Sequence, residues 1–67
     1  MQLSARNQLT GTITSVKLGS VMAEVVVDIG GQHIVSAITR TSAESLGLQQ
    51  GDQVTVVIKS TDVLIGK

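Results

Sequence analysis

The chain has no phenylalanine, tyrosine, tryptophan or cysteine among its 67 residues. Because a buried aromatic side chain removes roughly 150–250 Å² from water, an aliphatic core leaves so small a chain short of buried apolar area. Without cysteine, neither disulfides nor thiolate ligands can add stability, and association is the remaining remedy. At 42% hydrophobic residues the chain is too apolar for disorder. We therefore expect one folded domain over residues 1–67 that buries part of its surface against copies of itself.

The sequence also lacks an excess of charge of either sign, since five basic residues balance five acidic ones. Nucleic-acid-binding proteins usually carry a basic patch, so we expect no nucleic-acid partner. No basic amphipathic helix and no run of about 20 apolar residues is visible, so we expect no membrane association. Residues 1–9 lack the apolar segment of a signal peptide, which makes the cytoplasm the expected location.

Residues suited to catalysis are scarce. His33 is the only histidine, so one chain cannot build a multi-histidine metal site. The acids Asp28, Asp52 and Asp62 fall at predicted strand ends and turns, where aspartate is common for backbone reasons. No nucleophile elbow, phosphate-binding loop or dinucleotide-binding fingerprint occurs. We expect neither an enzyme nor a catalytic cofactor.

Alternation of apolar and polar residues predicts strands along most of the chain. From Leu9 onward apolar positions alternate with threonines, and residues 20–29 form the clearest strand. Gly30-Gly31 predicts a hairpin, because both glycines can adopt the positive φ of a tight turn, and residues 32–39 return. The strand 20–29 has one wholly apolar face, made of Val21, Ala23, Val25, Val27 and Ile29. We expect this face to line a small barrel and the other, partly apolar face to meet a neighbouring subunit.

A short helix and two further strands complete the predicted order. Residues 41–44 fit a capping box in which Thr41 caps the helix and Glu44 reaches back to its N–H, and Gly47 fits the residue just after the helix. Residues 53–59 and 63–65 predict the last two strands. Three strands, a helix and two strands match the OB-fold, so the predicted fold class is all-β with one short helix, a five-stranded barrel.

Several hydroxyl-bearing and cationic residues together suit a small oxyanion. Ser4 and Arg6 share a face if their segment is extended. Thr39 and Ser42 flank the predicted helix start, where free N–H groups favour anions. Lys59 and Ser60 add a cation and a hydroxyl. The absence of carboxylates among them disfavours a metal cation. Each also has an ordinary alternative role as a cap or a solvated charge.

The pattern as a whole resembles the molbindin (Mop) family, the small molybdate-binding proteins that consist of a TOBE/Mop domain standing alone. The opening Ser-Ala-Arg-Asn, together with the closing Lys-Ser-Thr-Asp-Val at the right separation, is the most specific part. The matching residues are Ser4-Ala5-Arg6-Asn7-Gln8-Leu9, Gly11, Ala23-Glu24-Val25-Val26, Ile38-Thr39, Leu46-Gly47-Leu48, Gly51 and Lys59-Ser60-Thr61-Asp62-Val63.

The resemblance implies an OB-like subunit that assembles as a hexamer, a trimer of dimers. It implies that molybdate or tungstate binds between subunits, in the service of cytoplasmic molybdenum storage or homeostasis. One subunit would contribute Ser4 and Arg6, assisted by backbone amides at Ala5 and its neighbours. The partner would contribute the remaining residues of the site, namely Thr39, Ser42, Lys59 and Ser60.

Other interpretations of the sequence lead to different ligands. An OB module for single-stranded nucleic acid would need aromatic side chains in a basic groove, and the chain has neither. The family is also associated with the molybdenum pterin cofactor, which is much larger than an oxyanion. A third alternative is an assembly module whose partner protein recognises the anion.

Overall fold

The computed structural model describes residues 1–67 as a curled antiparallel sheet with one short helix. Four strands lie in the order β3-β2-β1-β4. The elements are β1 (Asn7–Leu18), β2 (Met22–Asp28), β3 (His33–Thr39), α1 (Arg40–Ser45) and β4 (Gln53–Ile58), with a single 3₁₀ turn at Ser60–Asp62. No helix has the length and apolar character of a membrane span.

The long strand β1 holds the sheet together because it has two partners. Its first half pairs with β4, from Asn7 opposite Ile58 to Thr12 opposite Gln53. Its second half pairs with β2, up to Leu18 opposite Ala23. The register shifts at Thr14, which is an extra residue in β1 and whose hydroxyl donates to the Val26 carbonyl at 3.3 Å. Such a bulge increases strand twist, which fits the curl of the sheet.

The core lies inside the curl and is very small. Only six of the 67 residues are buried, and Ile13, Val25 and Val27 form the central cluster. Ala23 is also buried, so the apolar face predicted for strand 20–29 is confirmed at its middle positions, whereas Val21 is 70% exposed. With so few buried side chains, a single copy is poorly supplied with hydrophobic stabilisation.

The hairpin between β2 and β3 is confirmed. Gly30 and Gly31 have φ values of 89° and 98°, which favour glycine. The Gly31 N–H donates to the Asp28 carboxylate at 2.7 Å. This bond satisfies a turn donor with a side chain that also ends the strand.

The helix begins two residues earlier than predicted, and the capping box at residues 41–44 is wrong. Thr39 is the N-cap, since its Oγ1 accepts from the Ser42 N–H at 3.1 Å. Glu44 does not reach back to the cap but pairs with Arg40, Nε to Oε1 at 3.4 Å. β3 runs directly into the helix, which leaves Thr41 inside the first turn.

The end of the helix agrees with prediction. Gly47 follows the C-cap residue Leu46 and has φ +62°. Its N–H donates to the Glu44 carbonyl at 3.0 Å, and the Leu48 N–H donates to the Ala43 carbonyl at 3.1 Å. These two bonds form a Schellman motif, which brings Leu48 back towards the core cluster.

The fold class is confirmed, with four strands in place of the predicted five. Residues 63–65 are not a strand, because after the 3₁₀ turn they leave the sheet and pair with no other segment. β4 also ends at Ile58, one residue before the predicted end. A strand needs a hydrogen-bonded neighbour, and residues 63–65 pair with neither of the two edge strands, β3 and β4.

Candidate functional site

The two hydroxyls at the start of α1 are bonded to each other. The Thr39 hydroxyl donates to Ser42 Oγ at 2.8 Å and accepts from the Ser42 N–H at 3.1 Å. Both residues are exposed. The Ser42 hydroxyl hydrogen is therefore left to donate to a ligand, while Thr39 holds it in position.

The backbone at this helix start offers fewer free donors than its sequence indicates. The Arg40 N–H donates to the Val21 carbonyl at 2.8 Å, and the Ser42 N–H is used by the cap. The helix has only six residues, so its dipole is weak. This helix start alone is therefore a weak site for an anion, and further donors would have to come from side chains elsewhere.

The cationic residues lie together at a different end of the sheet. Asn7 opposite Ile58 is the last pair of the β1–β4 ladder, so Arg6 and Lys59, the next residues along each chain segment, leave the sheet at the same end. Both are exposed. The ion pair of the chain joins Arg40 and Glu44, so neither cation is neutralised by a carboxylate.

The remaining predicted residues flank these two cations in sequence. Ser4 and Ala5 precede Arg6, and the Ala5 carbonyl accepts from Gln8 Nε2 at 2.8 Å, which anchors the N-terminal segment to β1. Ser60 follows Lys59 and begins the 3₁₀ turn, where the Asp62 N–H donates to the Lys59 carbonyl at 2.9 Å. This end of the ladder thus carries two cations, two serine hydroxyls and the Ala5 backbone.

The predicted site therefore falls into two parts within one chain. Thr39 and Ser42 lie at the end of β3, one edge strand, whereas Arg6 and Lys59 lie beside the end of β4, the other edge strand. No hydrogen bond or ion pair connects the two parts. We call them the hydroxyl half-site (Thr39 and Ser42) and the cationic half-site (Ser4, Ala5, Arg6, Lys59 and Ser60).

A cavity of about 190 Å³ between the two edge strands was not predicted. Nine of its eleven lining residues are hydrophobic, among them Ile38, Leu46 and Val57. No cation lines it, so it does not suit an oxyanion. The sequence assigned Ile38 and Val57 to strands and Leu46 to the short helix, but the curl that brings β3 and β4 to one cleft depends on long-range pairing.

No cluster of three or more His, Cys, Asp or Glu side chains that could hold a metal ion is present. His33 is exposed at the first position of β3, opposite Asp28. The two half-sites offer hydroxyls and cations, and hydroxyl and guanidinium donors suit oxygen-rich anions.

Comparison with known proteins gives this donor set a context. The TOBE domain model matches residues 3–65. Molybdenum-pterin-binding protein 3 of Clostridium pasteurianum is 53% identical over 66 residues, covering 97% of this chain and 97% of that protein.

Solved structures agree with the sequence comparison. A molybdate-binding protein from Sporomusa ovata superposes with a TM-score of 0.95 at 40% identity, with both chains covered completely. The cytoplasmic molybdate-binding protein ModG, in a form with molybdate bound, has a TM-score of 0.85 at 41% identity, over 90% of this chain and 43% of its own. The chain therefore belongs to the TOBE domain family, and its predicted resemblance to the small Mop proteins is confirmed.

Proposed function

We propose that this protein binds molybdate, and tungstate as its chemical analogue, at sites formed between copies of the chain. The observation that carries the proposal is the full-length similarity to proteins described as molybdate-binding, with a TM-score of 0.95 and 40% identity. The proposed role is binding for cytoplasmic molybdenum storage and homeostasis, without catalysis. The proposed assembly is a homohexamer arranged as a trimer of dimers.

The chemistry of the half-sites supports a tetrahedral oxyanion. Arg6 presents a rigid fork of N–H donors and Lys59 a compact charge, while serine and threonine hydroxyls can donate to further oxygens. Neither cation has a carboxylate partner in the chain. A doubly charged oxyanion placed here would meet opposite charge and several donors at once.

Magnitudes favour a site that combines both half-sites. A micromolar affinity requires about 8 kcal/mol, whereas one hydrogen bond to a charged group contributes roughly 1.5–3 kcal/mol net. The Ser42 hydroxyl alone falls far short of this, and the cations and serines of the cationic half-site are exposed to solvent. Joining the half-sites of two copies would supply enough donors and would remove solvent from the anion.

The register of the sheet favours one division of the site between subunits. The family resemblance implied Ser4 and Arg6 from one subunit and Lys59 and Ser60 from its partner. Because Arg6 and Lys59 leave the β1–β4 ladder together, we propose that both come from the same copy, with Thr39 and Ser42 coming from the other.

Calorimetric titration of the oligomer with molybdate, tungstate, sulfate and phosphate tests the proposed function. We expect micromolar or tighter binding of molybdate and tungstate, and at least tenfold weaker binding of sulfate and phosphate. Sulfate and phosphate are smaller tetrahedral anions, so donors on two copies that are spaced for molybdate would fit them less closely. Equal binding of sulfate, or no molybdate binding at micromolar concentration, would contradict the proposal.

A second candidate ligand is a molybdenum pterin, because the relative from Clostridium pasteurianum is described as molybdenum-pterin-binding. The same titration with a free pterin distinguishes the two ligands. Half-sites built from small hydroxyls on facing copies leave little room for a bicyclic ring. We therefore expect the titration with free pterin to give no heat of binding. A pterin that binds more tightly than molybdate would favour this second candidate.

A further inference from the structure

Arg40 is the first residue of α1, and two of its N–H groups donate to a segment outside the helix. Its backbone N–H donates to the Val21 carbonyl at 2.8 Å, and its Nη1 donates to the Gly19 carbonyl at 3.3 Å. Both acceptors belong to the turn that joins β1 to β2, residues 19–21, which we call the β1–β2 turn. A third contact lies within the helix, where Arg40 Nε is 3.4 Å from Glu44 Oε1. Arg40 therefore connects the start of α1 to the β1–β2 turn through both its backbone and its side chain.

The β1–β2 turn is a firm anchor for this contact. The Gly19 N–H donates to the Met22 carbonyl at 2.7 Å, and a Cβ atom at Gly19 would lie 2.8 Å from the same oxygen. The turn is thus packed closely against the start of β2, which pairs with both β1 and β3. Because the guanidinium is charged, its hydrogen bond to the Gly19 carbonyl is stronger than one between neutral groups. The Gly19 carbonyl is therefore a strong acceptor that the sheet holds in place.

The hydroxyl half-site depends on where the first turn of α1 lies. Thr39 and Ser42 are hydrogen-bonded to each other, but both are exposed. The helix has six residues and buries only Ala43, and so short a helix is not stable by itself. Among the side-chain hydrogen bonds, the one from Arg40 to Gly19 alone extends from α1 beyond the helix and its N-cap. The position of the two hydroxyls relative to the sheet therefore depends in part on the Arg40 side chain.

We infer that Arg40 is a positioning residue for the proposed anion site, where it places the Ser42 hydroxyl by holding the first turn of α1 on the β1–β2 turn. The inference rests on the proposed function, and it concerns a residue that does not itself contact the anion. Glu44 lies beside the Arg40 guanidinium and offsets its charge, whereas Arg6 and Lys59 have no carboxylate partner. The anion is therefore attracted to those two cations, and Arg40 acts on it through Ser42.

Three variants separate the contacts of Arg40 from its charge. Arg40→Ala removes the side-chain contacts and keeps the backbone bond to Val21, so we expect the fold and the association to be retained, which circular dichroism and size-exclusion chromatography check. Arg40→Lys keeps the charge, but one ammonium group lacks the fork of donors that contacts Gly19 and Glu44 together. The matched control is Lys17→Ala, which removes the same charge from an exposed residue of β1 that has no ion pair.

The first test needs no molybdate and measures amide hydrogen exchange by NMR. In Arg40→Ala and in Arg40→Lys, we expect the Ser42 N–H to exchange about fivefold faster, the effect of one partly exposed charge-assisted bond. The amide of Val25, which is buried in β2, should exchange at an unchanged rate, and Lys17→Ala should change neither. Unchanged exchange at Ser42, or equal acceleration at Ser42 and Val25, would overturn the inference, since the second result is a loss of global stability.

The second test is a double-mutant cycle in molybdate affinity, measured by calorimetry. We expect Arg40→Ala to weaken binding about fivefold in the unmodified protein and to have no further effect in the Ser42→Ala background, because its action passes through that hydroxyl. A merely structural role would lower Tm without this dependence on Ser42. Equal losses in the two backgrounds, or full affinity in Arg40→Lys, would overturn the inference in favour of an effect of the Arg40 charge on the anion.

The two tests separate the inference from the proposed function. An unmodified protein that binds no molybdate would contradict the proposed function, and the exchange rates would still decide whether Arg40 holds the start of α1. Molybdate binding that is unaffected by Arg40→Ala would leave the proposed function in place and overturn the role of Arg40.

Discussion

Gly11 lies in β1 in close contact with the end of β2. A Cβ atom at this position would lie 2.5 Å from the Asp28 carbonyl oxygen and 2.6 Å from Val27 Cγ1. The position is buried beside Ile13 and Val27. An added side chain could therefore not turn away from these contacts. The tight curl of the sheet therefore depends on the absence of a side chain in the middle of its longest strand.

Gly11→Ala should destabilise the protein by about 1–3 kcal/mol, the usual cost of overpacking a close contact. Urea unfolding at a fixed protein concentration measures the change. Gly66→Ala is the matched control, since a Cβ there meets nothing within 4 Å and its φ is not positive. If the Gly11→Ala variant were as stable as the Gly66→Ala variant, β1 and β2 could move apart at no cost in the free energy of unfolding, which would contradict this prediction.

The helix α1 shows how a local signal and a long-range contact compete. Thr39 and Thr41 both have a hydroxyl suited to capping, and only the second precedes a glutamate at the spacing of a capping box. Thr39 nevertheless caps the helix, because β3 pairs as far as Thr39 opposite Met22 and the Arg40 N–H bonds to Val21. The end of the strand therefore determines where the helix begins.

Thr39→Ala should lower the stability by about 1 kcal/mol, because the Ser42 N–H loses its acceptor. For a domain of this size, that corresponds to a fall in Tm of about 4–8 °C. Thr41→Ala is the control and should leave Tm almost unchanged. The measurement is thermal unfolding without molybdate, so that ligand binding does not contribute. A larger effect at Thr41 would restore the capping box predicted from the sequence.

Much of the element pattern could be predicted from sequence, because it depends on neighbours along the chain. Alternation identified the buried face of β2, and paired glycines identified the hairpin. The strand predicted at residues 63–65 is absent because strand formation requires a partner, and sequence alone does not say whether the partner belongs to the same chain. The grouping of Arg6 with Lys59, far apart in sequence, likewise depends on the β1–β4 register.

At the scale of the whole molecule, the proposed anion site requires more than one copy of the chain. One copy buries six residues, exposes large apolar side chains, and holds the hydroxyl and cationic half-sites on different edge strands. Association of copies would cover the exposed apolar side chains, and it would bring the half-sites of different copies together. Binding and assembly are then thermodynamically linked.

Mixing of variants tests how the site is divided. Ser42→Ala, Arg6→Ala and Lys59→Ala should each lower molybdate affinity about tenfold or more, the loss expected for one charge-assisted bond. A co-refolded mixture of Ser42→Ala and Arg6→Ala should regain some high-affinity sites in calorimetry, because mixed assemblies contain sites with both halves intact. A mixture of Arg6→Ala and Lys59→Ala should regain none. Recovery in that second mixture would place the two cations on different copies.

Native mass spectrometry with and without molybdate tests the central claim most directly, since it reports the number of subunits and of bound anions in one spectrum. We expect molybdate adducts on the hexamer, in a number set by its symmetry, and no adducts on any monomer present, although every residue of both half-sites is intact there. Sulfate at the same concentration is the control. Stoichiometric molybdate on the monomer, or a hexamer that carries sulfate as readily as molybdate, would contradict the account.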